Sequence, residues 1–249
     1  MKILPNLPGF AKLIYCLKYF RPYRRRIEAA KAAGDDEAER AVILGATTDW
    51  GPRVLDMFGC TLEVEGEDNL PDSGPVVLVG NHQGYADIAA CFAAFRKFQF
   101  GFVAKQELSK IPLYGPWMAR IRSVFIERDD PRSSLETIKQ GVELLKRGYS
   151  LVIFPEGTRA RCSTPGPFMK GSLKLATRAA VPIVPFSIDG TWHMFEETGV
   201  LSPATIRIMI HEPIETKNLT RQEERELNDR VEKIVCDGVR ELAAKAEKS

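Results

Sequence analysis

An imidazole and a carboxylate stand five positions apart at His82 and Asp87, in the stretch Asn81-His82-Gln83-Gly84-Tyr85-Ala86-Asp87 that directly follows the apolar run Val76-Val77-Leu78-Val79-Gly80. A general base needs this combination: a nitrogen able to take a proton near neutral pH, and an acid that holds its ring in one tautomer. Five residues of continuous helix rotate the chain by about 140°. The two side chains therefore meet only if His82 sits in a turn and Asp87 in the first turn of the following helix. By default, a lone histidine at a strand end is a satisfied structural residue. The downstream stretch Phe154-Pro155-Glu156-Gly157-Thr158-Arg159 outweighs that default, because it leaves a second apolar run, Leu151-Val152-Ile153. Neighbouring strand ends of an open α/β sheet line one crevice, so the two polar loops are expected to form a single site.

These blocks, in this order, resemble the glycerolipid acyltransferases of the 1-acyl-sn-glycerol-3-phosphate (lysophosphatidic acid) acyltransferase type. His-x4-Asp is followed about seventy residues later by Phe-Pro-Glu-Gly-Thr-Arg. Between them, Ser123-Val124-Phe125-Ile126-Glu127-Arg128 is similar to the family's arginine-bearing second motif, and Phe102-Val103-Ala104-Lys105-Gln106-Glu107-Leu108 to its lysine-bearing segment. Val181-Pro182-Ile183-Val184-Pro185 resembles its fourth motif, so the likeness runs from about Leu62 to about Pro213. The resemblance implies His82 as base and Asp87 as its orienting carboxylate. It implies substrate contacts from Lys105, Arg128, Glu156, Gly157, Thr158 and Arg159, the cations facing the phosphate of the acceptor. Gly157 is expected to let the backbone approach the ligand and expose an N–H to an oxyanion; Glu156 either contacts the acceptor or anchors an arginine. Lys170-Gly171 resembles the family's Lys-Gly step. Gly84 stands where the family often has Ser, Arg122 where it usually has Gly, and Glu127 where it commonly has Asp.

Acyl transfer to an alcohol needs a base for the hydroxyl proton, donors for the tetrahedral oxyanion and a hold on both substrates. The chain contains no Gly-x-Ser-x-Gly elbow, so direct attack of the acceptor hydroxyl on an acyl thioester is expected rather than an acyl-enzyme. Acyl-CoA or acyl carrier protein enters as co-substrate and no cofactor is called for. The expected reaction acylates the sn-2 hydroxyl of a lysophosphatidic acid-like lipid, giving phosphatidic acid for phospholipid biosynthesis. Another lysophospholipid or lyso-aminolipid acceptor is the nearest alternative, and a non-catalytic membrane-surface lipid-binding module the alternative from another class. A metal site is not expected: three histidines, without a His-x-x-x-His or Cys cluster, nominate no third ligand.

The elements that must position these residues read as an α/β layer structure. Strands are predicted at Thr61–Val64, Val76–Val79, Phe100–Ala104, Ser123–Ile126, Leu151–Phe154, Ile183–Ile188 and Thr205–Ile210. The expected fold is α/β, a mostly seven-stranded mixed sheet flanked by helices. Ser133-x-x-Glu136 and Thr220-x-x-Glu223 have capping-box spacing and predict helix starts. Phe92, Phe95 and Phe102, with Pro112 to Met118, either fill the core or line an acyl-chain channel.

Residues 1–59 read as an N-terminal amphipathic helical subdomain, and 60–249 as the α/β acyltransferase domain. From Met1 to Ile27 the charged residues are all basic, and Leu7, Phe10, Leu13, Ile14, Leu17 and Phe20 recur among them at helical spacing. Such a helix suits an anionic membrane surface, while no window supplies the roughly 20 apolar residues of a spanning helix. A peripheral or monotopic protein on the cytoplasmic face of the cell membrane is expected. The net charge of +2 is too small to nominate nucleic acid as a partner. Five scattered cysteines without a Cys-x-x-Cys pair predict neither a disulfide framework nor a zinc site. His193 and His211 match none of the blocks and are expected to be structural or surface residues.

Overall fold

The computed structural model describes residues 3–19, 21–127 and 131–247. Seven strands form one mixed sheet: β1 (Thr61–Glu65), β2 (Val77–Gly80), β3 (Phe100–Lys105), β4 (Val124–Ile126), β5 (Ser150–Ile153), β6 (Ile183–Asp189) and β7 (Thr205–Ile210), in the order β1-β7-β6-β2-β5-β3-β4. Every predicted strand is present, with ends shifted by at most a residue. β6, β2, β5, β3 and β4 run parallel; β7 joins β6 antiparallel and pairs with β1 in parallel. The carboxyl ends of five adjacent strands thus fall on one edge.

Alternation along the central strands divides two apolar layers. Leu78, Val152, Val184, Phe186 and Ile188 point into one core, and Val77, Val79, Leu151, Ile153 and Ile183 into the other. The first is covered by α1 (Ile3–Tyr19), α2 (Arg21–Ala33), α3 (Asp36–Met57) and α4 (Asp87–Ala94), with α5 (Tyr114–Arg120) supplying Trp117 and Met118. The second is covered by α6 (Pro131–Lys146), α7 (Lys174–Ala179) and α8 (Arg221–Ala246), the last burying Leu227, Val231, Val235, Val239 and Leu242.

Sequence signals at the helix ends had different outcomes. The capping box at Thr220 and Glu223 is formed as predicted. α6 instead starts at Pro131, ahead of the predicted Ser133, since a proline is tolerated in a first helical turn. The Ser133 hydroxyl accepts the Glu127 N–H at 3.2 Å.

The segment before residue 60 is built into the same core. Ile27, Ile43, Ala46, Trp50, Val54 and Leu55 belong to the apolar cluster that contains the sheet's phenylalanines. α3 lies so close to α4 that a Cβ on Gly51 meets Ala93 N at 2.6 Å and Phe92 C at 2.7 Å. Glu39 of α3 is 1% exposed and receives a forked pair of bonds from Arg122, at 2.7 and 2.5 Å. Arg122 has φ +65°, in the left-handed region that favours glycine. Arg147 makes a second fork to Asp36, and the Tyr149 hydroxyl donates within reach of both Asp36 and Glu39. No helix among the described residues is long and apolar enough to cross a membrane.

Candidate active site

At the edge where β2 ends, the chain turns through Asn81 to Ala86 and enters α4 at Asp87. Asp87 is fully buried, and its carboxylate folds back over the turn to accept the N–H groups of Gln83 at 2.8 Å and Gly84 at 3.1 Å. The same oxygen, Oδ2, lies 2.5 Å from His82 Nδ1. An ionised carboxylate can only accept, so Nδ1 carries the proton and Nε2 is left with the lone pair. The five-residue spacing thus works as the turn-plus-helix geometry requires.

The imidazole is held on its flat face as well. Its ring stacks on Phe154 at 4.3 Å between centroids and 10° between planes, and Phe154 packs in turn on Phe102 and Phe186. The His82 side chain stays 21% exposed, so the ring is supported without being sealed. Phe92, Phe95 and Phe102 are 1–2% exposed and gather on Phe100, Phe92 stacked on it at 22° between planes and Phe95 and Phe102 edge-on. They are part of the apolar core beneath the site.

Asn81 grips β6 with its amide, donating to Ile188 O and accepting from Ile188 N, both at 2.8 Å. This brings the segment after β6 under the site. Thr191 donates its hydroxyl to Asp87 Oδ1, and Gln83 donates to Asp189 at 2.8 Å. The strand-edge argument applied to Asp189-Gly190-Thr191 would have nominated Thr191, because β6 ends beside β2. Sequence reasoning missed it.

The loop after β5 docks on the His82 loop. Ala160 N–H donates to His82 O at 2.7 Å and Arg161 N–H to Gln83 O at 3.2 Å. Glu156 is buried between them. One of its oxygens accepts the His82 N–H and the other the Gly166 N–H, each at 2.7 Å. Burial pushes its carboxyl above the usual range, those two N–H groups acting against the shift. Glu156 therefore clamps two loops and anchors no arginine among the described residues. Gly157 has φ +73°, as a left-handed turn position, but its N–H donates to Phe154 O at 3.1 Å and so is already engaged. Thr158 is exposed beside it.

The acid that anchors an arginine is Glu196, in the loop between β6 and β7, which no sequence signal pointed to. Arg159 Nη1 lies 2.7 Å from Glu196 Oε1, and the guanidinium stacks under Tyr85 with its carbon 3.6 Å from the ring centroid. Tyr85 N–H donates to the same Glu196 oxygen at 3.0 Å. Lys105 is exposed at the carboxyl end of β3, on the same sheet edge, and forms no ion pair among the described residues. Arg128 lies outside the described residues.

The remaining histidines sit elsewhere. His193 faces Glu197 on the surface, and His211 Nε2 bonds the Ser187 hydroxyl at 2.8 Å. Among the described residues no three His, Cys, Asp or Glu side chains gather as a metal-binding group.

Residues 61–189 match the family model described as Acyltransferase. The chain is 30% identical over 195 residues to the 1-acyl-sn-glycerol-3-phosphate acyltransferase of Pseudomonas aeruginosa, covering 78% of this chain and 74% of that one. It is 36% identical over 155 residues to the chloroplastic 1-acyl-sn-glycerol-3-phosphate acyltransferase BAT2 of Brassica napus, a match that spans 61% of this chain but only 44% of the plant protein's length. The crystal structure of the 1-acyl-sn-glycerophosphate (LPA) acyltransferase PlsC from Thermotoga maritima superposes with a TM-score of 0.81 at 30% identity, covering 98% of both chains. With the matched region running from the first residue of β1 to the last of β6 and so containing the paired histidine and aspartate, the chain belongs to the acyltransferase family.

Proposed function

We propose that this protein transfers a fatty acyl group from an acyl thioester, acyl-CoA or acyl carrier protein, to the sn-2 hydroxyl of 1-acyl-sn-glycerol-3-phosphate, making phosphatidic acid. His82 Nε2 takes the hydroxyl proton as the acceptor oxygen attacks the thioester carbonyl carbon. The new C–O bond forms, the tetrahedral intermediate collapses with cleavage of the C–S bond, and the departing thiolate takes the proton back from the imidazolium. Asp87 holds the ring and stabilises its charged form. Arg159, with Lys105 and Arg128, attracts the phosphate, whose forked acceptor geometry suits a guanidinium.

The observation that carries this reading is the 2.5 Å contact between His82 Nδ1 and Asp87, on a sheet edge where the next loop brings Arg159. The relatives' names support the acceptor. The lipid also suits the basic α1 and α2, where Leu7, Ile14 and Tyr15 are exposed beside Lys12 and Lys18; a peripheral position on the cytoplasmic membrane face follows from this reading.

The test is an acyl-transfer assay with purified protein, labelled acyl-CoA and a panel of lysolipids. Lysophosphatidate is the expected acceptor, His82→Ala is expected to abolish turnover while binding to anionic vesicles persists, and Arg159→Ala to weaken the acceptor. Equal turnover of a phosphate-free acceptor, with Arg159→Ala unimpaired, sinks the assignment. Retained function in His82→Ala points to a lipid-binding module instead.

A further inference from the structure

The cation assigned to the acceptor phosphate is not idle in this structure. Arg159 already faces a carboxylate, and the manner of that pairing differs from that of the two forked ion pairs that hold α3. Arg122 with Glu39, and Arg147 with Asp36, use both carboxylate oxygens in parallel forks. Arg159 instead meets Glu196 end-on, through Nη1 and Oε1 alone. The Glu196 side chain is only 3% exposed, yet its second oxygen, Oε2, has no hydrogen-bond partner among the described residues. A buried acceptor left unpaired is costly, and desolvation pushes this carboxyl above its usual range, with Arg159 and the Tyr85 N–H acting against the shift.

Gly84 makes this arrangement possible. A Cβ built there comes within 2.6 Å of Glu196 Oε2, so the carboxylate occupies the room a side chain at position 84 would take. Over the other face of the guanidinium lies Tyr85, 62% exposed. The pair is thus joined at a single carboxylate oxygen, and the Arg159 side chain keeps 19% of its surface exposed beneath Tyr85.

We propose that Glu196 is a resident counter-anion of the headgroup site: it engages Arg159 in the free protein, and the phosphate of an incoming acceptor competes with it for the guanidinium. This inference rests on Arg159 receiving the acceptor phosphate. A phosphate monoester carries close to two negative charges, so a fixed carboxylate beside its site weakens its binding and narrows the advantage of dianionic over zwitterionic headgroups. Glu196 is a positioning and selectivity residue, acting through Arg159 rather than on the reacting atoms.

The experiment measures acceptor KM, donor KM and kcat in the full chain, with lysophosphatidate and lysophosphatidylcholine as acceptors and acyl-CoA as donor, for the wild type, Glu196→Gln, Arg159→Ala and the double variant. Gln keeps the shape and one acceptor oxygen while removing the charge. Glu196→Gln is expected to lower the KM for lysophosphatidate by about three- to tenfold, with kcat, donor KM and the lysophosphatidylcholine values held, and the gain is expected to vanish in the Arg159→Ala background. Gly84→Ser, which displaces the carboxylate without removing it, is expected to move lysophosphatidate KM in the same direction. An unchanged or raised lysophosphatidate KM in Glu196→Gln, while Arg159→Ala still raises it, overturns the counter-anion role and leaves the phosphate site standing. If Arg159→Ala leaves that KM unchanged, both fall together.

Discussion

Thr191 donates its hydroxyl to the Asp87 oxygen that His82 does not use, so each oxygen of the buried carboxylate is held by a side chain from a different strand end. Removing that donor leaves Asp87 Oδ1 short of a partner inside the protein, and a hydrogen bond to a charged group contributes about 1.5–3 kcal/mol. Thr191→Val is expected to lower kcat by about tenfold with acceptor KM unchanged, part of that energy being felt as a misdirected imidazole. Thr191→Ser should restore the rate. Full activity in the valine variant would remove Thr191 from the relay.

The base itself gives the sharpest kinetic expectation. General-base catalysis contributes roughly 10²–10⁴ in rate, so His82→Ala is expected to lose at least that in kcat, with acceptor binding retained. Asp87→Asn keeps the shape but removes the acceptor-only carboxylate that fixes the tautomer. It should lose a comparable factor. Single-turnover measurements separate this loss of chemistry from slow product release.

Stability of the N-terminal segment on the sheet is expected to hinge on Glu39. It is fully enclosed and pairs with Arg122, whose side chain is 14% exposed. Truncating one partner of such a pair strands the other charge, which costs about 3–5 kcal/mol. Glu39→Ala should therefore lower the urea midpoint strongly, and adding Arg122→Met should recover much of the loss. If the single variant melts like the wild type, the pair is not the joint between α3 and the start of β4.

A packing prediction concerns the same helix. At Gly51 the neighbours of an added Cβ are backbone atoms of α4, the farthest of the three being Ala89 O at 2.8 Å, and backbone cannot rotate away as a side chain can. Gly51→Ala is expected to cost about 1–3 kcal/mol by overpacking, measured by thermal denaturation. Gly45 is the control, since the nearest atom there is a tyrosine carbon at 3.9 Å; Gly45→Ala should be close to neutral or stabilising.

His211 predicts an acid-sensitive fold. Burial holds its pKa below the ordinary value of 6.5, a shift that Glu241 partly opposes. The unfolded chain therefore binds the proton more readily than the folded one. The stability this residue contributes is complete above about pH 6.5 and is lost as pH falls through its depressed folded value. Replacing His211 by Asn, which can still bond Ser187, should flatten the fall in urea midpoint between about pH 7 and 5. An unchanged slope would assign the acid sensitivity to other groups.

Much of this molecule was legible in one dimension because its strands are short apolar runs bounded by glycine, proline and charge, as buried parallel strands are. His82 and Asp87 were legible for the same local reason: they share one turn, so their spacing alone restricts how they meet. Other features had no such signature. The start of α6 at Pro131 was hidden by a serine with the spacing of a cap. Phe92, Phe95 and Phe102 have a pattern that suits a channel wall as well as a core, and only the tertiary structure shows them buried around Phe100.

The amino-acid sequence by itself determined which chemical groups leave which strand ends, and hence the histidine-aspartate base and the arginine loop beside it. The tertiary structure alone decided the company they keep: Thr191 beneath Asp87, Phe154 under His82, Glu156 as a clamp and Glu196 against Arg159. The physical reason is that charge pairing and hydrogen bonding depend on separation in space. The order β6-β2-β5 brings together residues more than a hundred positions apart in the chain, as it does Asn81 and Ile188.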